Sequence, residues 1–136
     1  MSKMLNRIMP KVITPKAHVV LDILTVGAFL AMGGIWWRSK RGASIAALAN
    51  GLFVAGFSAL TDYEGDGSKP ISFKNHGRLD AVQASMAEVA PKIFGFSEDK
   101  ASVFFRGQAM NEAVVIALTD FEARTRPRSR RRLNAA

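Results

Sequence analysis

The sequence predicts an all-α integral membrane protein, with four transmembrane helices arranged as two parallel helical-hairpin repeats and followed by a basic tail. Two long uncharged segments and an internal repeat support this prediction. The uncharged segments are residues 23–37 and residues 42–61. A helix needs about 20 mostly apolar residues to cross a bilayer, and the first segment reaches this length when residues 17–22 are added. The short basic turn at 38–41 predicts that the two segments form a hairpin.

The composition excludes several classes of protein. The chain has 19 Lys and Arg against 11 Asp and Glu, which gives a net charge of +8, yet 49% of its residues are hydrophobic. This apolar content is too high for a disordered basic chain. The chain has no cysteine, which excludes disulfides, thiolate metal sites and cysteine nucleophiles. We find no arrangement typical of a catalytic site and predict that the protein is not an enzyme.

An internal repeat divides the chain into two similar halves. Residues 13–64 align with residues 71–122 at a constant offset of 58, and 15 of the 52 aligned positions are identical. Random pairing would give about three or four identities. The motif K-x-H-x-x-L-D opens each half, and A-L-T-D-[YF]-E closes it. The predicted organisation is an interfacial segment 1–12, a hairpin repeat 13–64, a linker 65–70, a second hairpin repeat 71–122 and a basic tail 123–136.

Hydroxyl side chains are predicted to begin the first helix of each repeat. Thr14 and Ser72 occupy matching positions, and their oxygens can accept hydrogen bonds from the free N–H groups of the first turn. Pro15 then lies at the first helical position, where its missing N–H group costs nothing. Because each repeat crosses and returns, we expect the two repeats to be parallel, related by an axis along the membrane normal.

The second repeat is more polar than the first. Its predicted helices, at about 73–90 and 100–120, carry polar and charged side chains that would be costly in contact with lipid. We therefore predict that these helices form an interface with another membrane protein subunit. The predicted interface residues are Gln83, Glu88, Gln108, Asn111 and Glu112.

Segments of both repeats resemble one known family. The segments are ISFKNHGRLD at 71–80, APKIFGFSED at 90–99, ALTDFE at 117–122 and TPKAHVVLD at 14–22. Over about 13–122 the chain resembles the SPW-repeat family of small bacterial inner-membrane proteins, which have four predicted helices and no assigned function. In this chain the Ser-Pro-Trp of the family is replaced by Ala90-Pro91-Lys92. The resemblance implies a location in the bacterial inner (cytoplasmic) membrane.

Each repeat opens with a histidine and an aspartate four residues apart, so the two side chains share one helix face. The pairs are His18/Asp22 and His76/Asp80, and the repeat symmetry predicts that all four approach the bundle axis. We interpret each pair as a structural hydrogen bond that fixes the helix start. The alternatives are a proton or ion relay, a metal site with two histidines and two carboxylates, and axial ligation of a tetrapyrrole. We predict no metal and no cofactor, with His18 and His76 as the candidates if a cofactor were bound.

The chain ends in a strongly basic tail that sets the predicted topology. Six of the nine residues 124–132 are arginines, namely Arg124, Arg126, Arg128, Arg130, Arg131 and Arg132. Four further cations precede the first helix, so the positive-inside rule predicts that both termini are cytoplasmic. We expect the tail to bind anionic lipids and not nucleic acid, because no aromatic residues are interleaved for base stacking.

These features predict an accessory or structural subunit of a larger membrane complex, for example a respiratory or photosynthetic one. Its expected partners are other membrane protein subunits and anionic lipids, with no small-molecule substrate. The alternative is a small transporter or proton-conducting protein that uses the two His/Asp pairs.

Overall fold

The computed structural model describes residues 10–123, which form four α-helices and two short strands. The helices are α1 (Pro15–Trp36), α2 (Arg41–Ala59), α3 (Phe73–Ile93) and α4 (Ala101–Leu118). The strands β1 (Thr61–Asp62) and β2 (Ile71–Ser72) pair in parallel, with Thr61 opposite Ile71. This mostly helical chain agrees with the predicted all-α class.

The helices begin where the sequence predicted them to begin. Thr14 Oγ1 accepts a hydrogen bond of 3.2 Å from the N–H of Ala17 at the start of α1. Ser72 Oγ accepts one of 3.1 Å from the N–H of Asn75 at the start of α3. Both predicted N-caps are therefore confirmed, and Pro15 occupies the first turn of α1.

The helices pack as two hairpins, α1 with α2 and α3 with α4, and the most extensive contact between the hairpins is that of α2 with α3. Two buried glycines allow α1 and α2 to approach closely. A Cβ at Gly33 would lie 2.6 Å from Leu48 Cδ2, and a Cβ at Gly51 would lie 2.9 Å from Leu30 Cδ2. A Cβ at Gly27, by contrast, would meet nothing within 4 Å.

Short extended segments join the start of each half of the chain to the end of the other half. The N–H of Ile71 donates to the carbonyl of Leu60 at 3.0 Å, beside the β1–β2 pair. The N–H of Ile13 donates to the carbonyl of Leu118, also at 3.0 Å, where Ile13 and Thr119 form a parallel bridge. The two contacts involve positions that differ by 58 in the sequence, so the same junction occurs twice.

The interior has an apolar end and a polar end. The apolar core lies towards the turns that join the paired helices, where Trp36 ends α1 and Phe96 lies between α3 and α4. Its largest members are Phe29, Trp36, Phe96 and Phe105, packed among buried alanines. Buried polar side chains are concentrated at the opposite end, near the first turns of α1 and α3.

The outer surface carries many large apolar side chains. Those exposed on the helices include Val20, Ile23, Leu24, Ile35, Leu52, Val82, Val89, Val103, Met110 and Val114. Two helices, α1 and α2, are long and apolar enough to cross a membrane. Within the described part of the chain α3 and α4 do not meet this criterion, so the predicted number of four transmembrane helices is not confirmed. Both contain more polar side chains than α1 and α2.

Candidate functional site

Four buried side chains from the two hairpins meet at the polar end of the interior. His18 and Asp22 come from α1, and His76 and Asp80 come from α3. Both histidines are 0% exposed, Asp80 is 1% exposed and Asp22 is 4% exposed. One ligand atom of each residue lies within 4.8 Å of those of the other three. The structure therefore brings together both pairs that the sequence singled out, and we call these four residues the His/Asp cluster.

The shortest contacts in the His/Asp cluster join one helix to the other. His18 Nε2 lies 3.0 Å from Asp80 Oδ2, and His76 Nε2 lies 3.1 Å from Asp22 Oδ2. The contacts within each helix are longer, 3.4 Å from His18 to Asp22 and 3.3 Å from His76 to Asp80. Each carboxylate thus lies between two imidazoles, and the closer partner is on the other helix. The sequence predicted a hydrogen bond within each His/Asp pair at the start of its helix. The closest contact of each histidine is instead with the aspartate of the other helix.

Two threonine hydroxyls determine which nitrogen of each imidazole carries a proton. Thr61 Oγ1 lies 2.9 Å from His76 Nδ1, and Thr119 Oγ1 lies 3.0 Å from His18 Nδ1. Each hydroxyl also donates, at 2.6 Å, to the carbonyl of the residue four positions earlier. A hydroxyl has one proton, so each threonine oxygen must accept from a protonated Nδ1. Both threonines belong to the repeated closing motif A-L-T-D-[YF]-E, but this role was not predicted from the sequence.

Asp22 receives additional hydrogen bonds that Asp80 does not have among the described residues. Tyr63 donates its hydroxyl proton to Asp22 Oδ2 at 2.8 Å, and Ser58 donates to the same oxygen at 3.5 Å. Burial raises the pKa of the Tyr63 phenol above its usual range, which keeps it a hydrogen-bond donor. Phe121 takes the position matching Tyr63 in the second half and packs edge-on against His18, with ring centroids 5.5 Å apart.

Two of the predicted interface residues lie inside the bundle. Gln83 is three residues after Asp80 on the inner face of α3, and its Nε2 donates to Asn50 Oδ1 at 3.2 Å. Glu112 is buried and interacts electrostatically with Asp80 and Asp22. Within residues 10–123, its Oε1 has no hydrogen-bond partner. Because both side chains face the interior, neither presents a surface to another chain.

The other predicted interface residues lie nearer the surface. Glu88 and Asn111 are exposed, and Gln108 is partly exposed. The predicted lipid-binding arginines, Arg124 to Arg132, lie outside the described residues, as do residues 1–9 of the predicted interfacial segment.

An ion pair connects the two hairpin turns at the end far from the His/Asp cluster. Lys40 Nζ donates to Asp99 Oδ1, which also accepts a hydrogen bond of 2.8 Å from the N–H of Ala101 at the start of α4. The Ala101 N–H and the Lys40 ammonium hold the pKa of the Asp99 carboxyl below its usual range. This contact joins the two repeats at the end where the apolar core lies.

Comparisons of the chain with protein-family models, with curated proteins and with solved structures found no match. The resemblance to the SPW-repeat family therefore stays a prediction from the sequence.

Proposed function

We propose that the protein is a non-catalytic accessory subunit of a larger membrane complex, such as a bacterial respiratory or photosynthetic one, and that all four helices lie in the bilayer. The arrangement of polar and apolar side chains supports this. Large apolar side chains are exposed on every helix, while the bundle interior holds the His/Asp cluster together with Asn50, Gln83 and Glu112. Lipid is a favourable solvent for the exposed apolar side chains. Ionisable residues inside membrane proteins characteristically face the bundle interior.

A polar stripe on the outer face of α3 is the observation that carries the accessory role. Exposed polar side chains recur along α3 at intervals of three, four or seven residues and so line one face of the helix. We call these residues the α3 stripe: Lys74, Arg78, Ser85, Glu88 and Lys92. The outer faces of α1 and α2 differ, because the only charged residue in 19–37 is the buried Asp22 and none occurs in 42–61.

Lipid is an unfavourable neighbour for the α3 stripe. Arg78 and Glu88 each lie five residues from an end of α3, which places them about 7.5 Å inside the helix. A charged side chain facing the centre of a bilayer costs about 2.5–3.5 kcal/mol on insertion scales. A partner subunit that supplies opposite charges along this face removes much of that cost, since buried charges need partners.

The distribution of cations supports a topology with both termini in the cytoplasm. Lys11, Lys16, Lys69 and Lys74 lie at the end of the bundle that holds both termini of the described chain. In the sequence, the basic tail follows the last described residue. The other end carries five cations, Arg38, Lys40, Arg41, Lys92 and Lys100, so the excess on the terminal side comes from Lys3, Arg7 and the six arginines of the tail. Under the positive-inside rule, we expect the terminal side to face the cytoplasm.

Charge reversal on the α3 stripe tests the accessory role. Arg78→Glu together with Lys92→Glu is compared with Arg38→Glu together with Lys100→Glu, which makes the same charge change at exposed positions outside the stripe and keeps the cations of the terminal end. Membranes are extracted with mild detergent, and the chain is followed on native gels with mass spectrometry. We expect wild type and the control to migrate with a larger complex, and the stripe variant to migrate alone while remaining in the membrane fraction. A wild-type chain that migrates alone, or a stripe variant that stays in the complex, contradicts the proposal.

The buried ionisable groups favour a second function, that of a small transporter or proton-conducting protein. Glu112 adds a third carboxylate to the interior that holds the His/Asp cluster, and one of its oxygens has no hydrogen-bond partner within the described chain. A conducting protein would move protons when the purified chain alone is placed in liposomes, and Asp80→Asn would abolish that flux. An accessory subunit shows no flux under the same conditions.

A further inference from the structure

We propose that the His/Asp cluster binds one divalent first-row transition-metal ion, with Zn²⁺ the best match, through Nε2 of both histidines and one oxygen of each aspartate. Each half of the chain supplies one histidine and one aspartate, so the ion links the two hairpins. The site lies inside a single chain and does not depend on the proposed accessory role. It replaces the expectation from the sequence that no metal is bound.

The spacing of the four side chains fits a small coordination sphere. The four nitrogen-to-oxygen separations around the cluster are 3.0, 3.1, 3.3 and 3.4 Å, and each aspartate turns one oxygen to each histidine. Taking one ligand atom from each residue, all four atoms lie within 4.8 Å of one another. Zinc bonds to histidine and carboxylate ligands measure about 2.1 Å, which places neighbouring ligands of a tetrahedron about 3.4 Å apart. Each separation therefore has to shorten by about 1.4 Å or less for the four atoms to surround an ion.

The threonine hydrogen bonds direct Nε2 of both histidines towards the cluster, where a metal would bind. Thr61 and Thr119 accept from the protonated Nδ1 of His76 and His18, as their own protons are donated to backbone carbonyls. The remaining nitrogen, Nε2, faces the cluster, and a metal would replace the proton that joins His18 Nε2 to Asp80 Oδ2 at 3.0 Å. Histidines that bind metals usually donate their other N–H to an oxygen in this way, which fixes the orientation of the ring.

His76 Nε2 provides a second, independent indication. It lies 3.1 Å from Asp22 Oδ2 and 3.3 Å from Asp80 Oδ1, but neither contact has hydrogen-bond geometry. If His76 were an imidazolium, a charged N–H group would be buried without a well-aligned acceptor, which is costly. A lone pair that points between the two carboxylates is the arrangement that a shared metal ion requires.

Charge and donor type select the class of metal. Two buried carboxylates carry two negative charges, which must be compensated in an apolar interior, and one divalent cation does so while both histidines stay neutral. Imidazole and carboxylate donors suit zinc and other divalent transition metals, whereas Cu(I) and iron–sulfur clusters prefer sulfur ligands, and this chain has no cysteine. A buried site with four protein ligands is typical of structural zinc.

A groove between α1 and α2 provides a path to the site. It has a volume of about 410 Å³ and reaches Asp22, with Ser58 and Tyr63 in its wall. Both of these side chains donate to Asp22 Oδ2. They therefore orient the carboxylate, as the outer hydrogen bonds of a metal-binding carboxylate normally do.

Metal analysis of the purified full chain tests the site. The chain is expressed without a polyhistidine tag in zinc-supplemented medium and purified in detergent, and its metals are quantified by mass spectrometry. We expect one zinc per chain. Removal with a chelator should lower Tm by several degrees, and added Zn²⁺ should restore it, because a ligand that binds only the folded state stabilises that state. Co²⁺ added to the stripped chain should give the visible absorption of a tetrahedral site with nitrogen and oxygen ligands.

Matched aspartate variants separate this site from nonspecific binding. Asp22→Asn with Asp80→Asn should abolish zinc retention and the cobalt spectrum, whereas Asp66→Asn, the same change in the exposed linker, should leave both unchanged. If the double variant does not fold, the cobalt titration of the wild-type chain still shows whether the cluster binds a metal ion. A wild-type chain that holds no zinc and gives no cobalt spectrum overturns the proposal and indicates that protonated histidines balance the carboxylates. A double variant that retains both signals also overturns it.

Discussion

Asp80 on α3 lies 3.0 Å from Nε2 of His18 on α1, although the two residues are 62 positions apart in the chain. Asp22, only four positions from His18 on the same helix, is farther away at 3.4 Å. The matching contact between His76 and Asp22 measures 3.1 Å. Each histidine thus lies closer to the aspartate of the other half of the chain than to the aspartate of its own half. The cluster joins the hairpins at the end opposite the Lys40–Asp99 ion pair.

The buried contact between the two hairpins predicts strong energetic coupling between His18 and Asp80. In a double-mutant cycle with His18→Ala and Asp80→Ala, we expect a coupling free energy of about 1–3 kcal/mol, because the two groups are buried and share partners. The exposed pair Lys74 and Glu122, at 3.4 Å, is the control and should give about 0.5 kcal/mol or less. Denaturant unfolding of the purified chain in detergent measures both cycles. Equal coupling in the two pairs would contradict the proposed role of the buried contact.

The threonine hydroxyls should contribute measurably to stability. Thr61→Val keeps the volume of the side chain but removes the acceptor for His76 Nδ1–H, so we expect a loss of about 1–3 kcal/mol in the free energy of unfolding. Thr61→Ser retains the hydroxyl and should lose less. Thr119→Val and Thr119→Ser should behave in the same way with respect to His18. If the valine variants were as stable as wild type, the assignment of the Nδ1 proton would be wrong.

The close packing of α1 against α2 predicts opposite effects for two glycine substitutions. Gly33→Ala places a Cβ 2.6 Å from Leu48 Cδ2 and should lower Tm, because overpacking costs about 1–3 kcal/mol. Gly27→Ala has open space and should stabilise the helix by about 1 kcal/mol, the difference in helix propensity between the two residues. Thermal unfolding of both variants gives the comparison, and a Gly33→Ala variant with a raised Tm would contradict the close approach of α1 and α2.

The Asp99 contacts predict a pH dependence of stability. Because the pKa of Asp99 is lowered in the folded chain, its contribution is present above the ordinary Asp pKa of 3.8 and is lost as the pH falls through the folded value. The Tm difference between wild type and Asp99→Asn should therefore be larger above pH 3.8 than well below it. Glu98→Gln removes a negative charge from the same turn and serves as the control. A difference that does not change with pH would exclude this contribution.

The proposed topology predicts that the C-terminal tail is inaccessible from outside the cell. A single cysteine introduced as Asn134→Cys should resist a membrane-impermeant thiol reagent in intact cells and react after the membrane is permeabilised. A cysteine introduced as Ser39→Cys in the first hairpin turn should already react with the reagent in intact cells. Labelling of position 134 in intact cells would reverse the orientation.

Much of the local structure was predictable because its causes lie within a few residues of one another. The N-caps at Thr14 and Ser72, the turn between α1 and α2, and the four helices all agree with the sequence-based predictions. The inner positions of Gln83 and Glu112 were not predicted, because hydropathy shows that a residue is polar but not whether it faces the centre of the bundle or another chain. The helical periodicity that places Gln83 beside Asp80 was available, but choosing the buried side required the packing of α2 against α3.

The sequence by itself determined that helices form, where two of them can cross a membrane, and that each half contributes one histidine and one aspartate. These properties follow from hydropathy, helix capping and the 58-residue offset. Only the tertiary structure decided that His18 pairs most closely with Asp80, and that Thr119 and Thr61 orient the two imidazoles. The physical reason is that these contacts join residues far apart in the chain, whose separation is fixed by how the hairpins pack and by the parallel junctions that connect the start of each half to the end of the other.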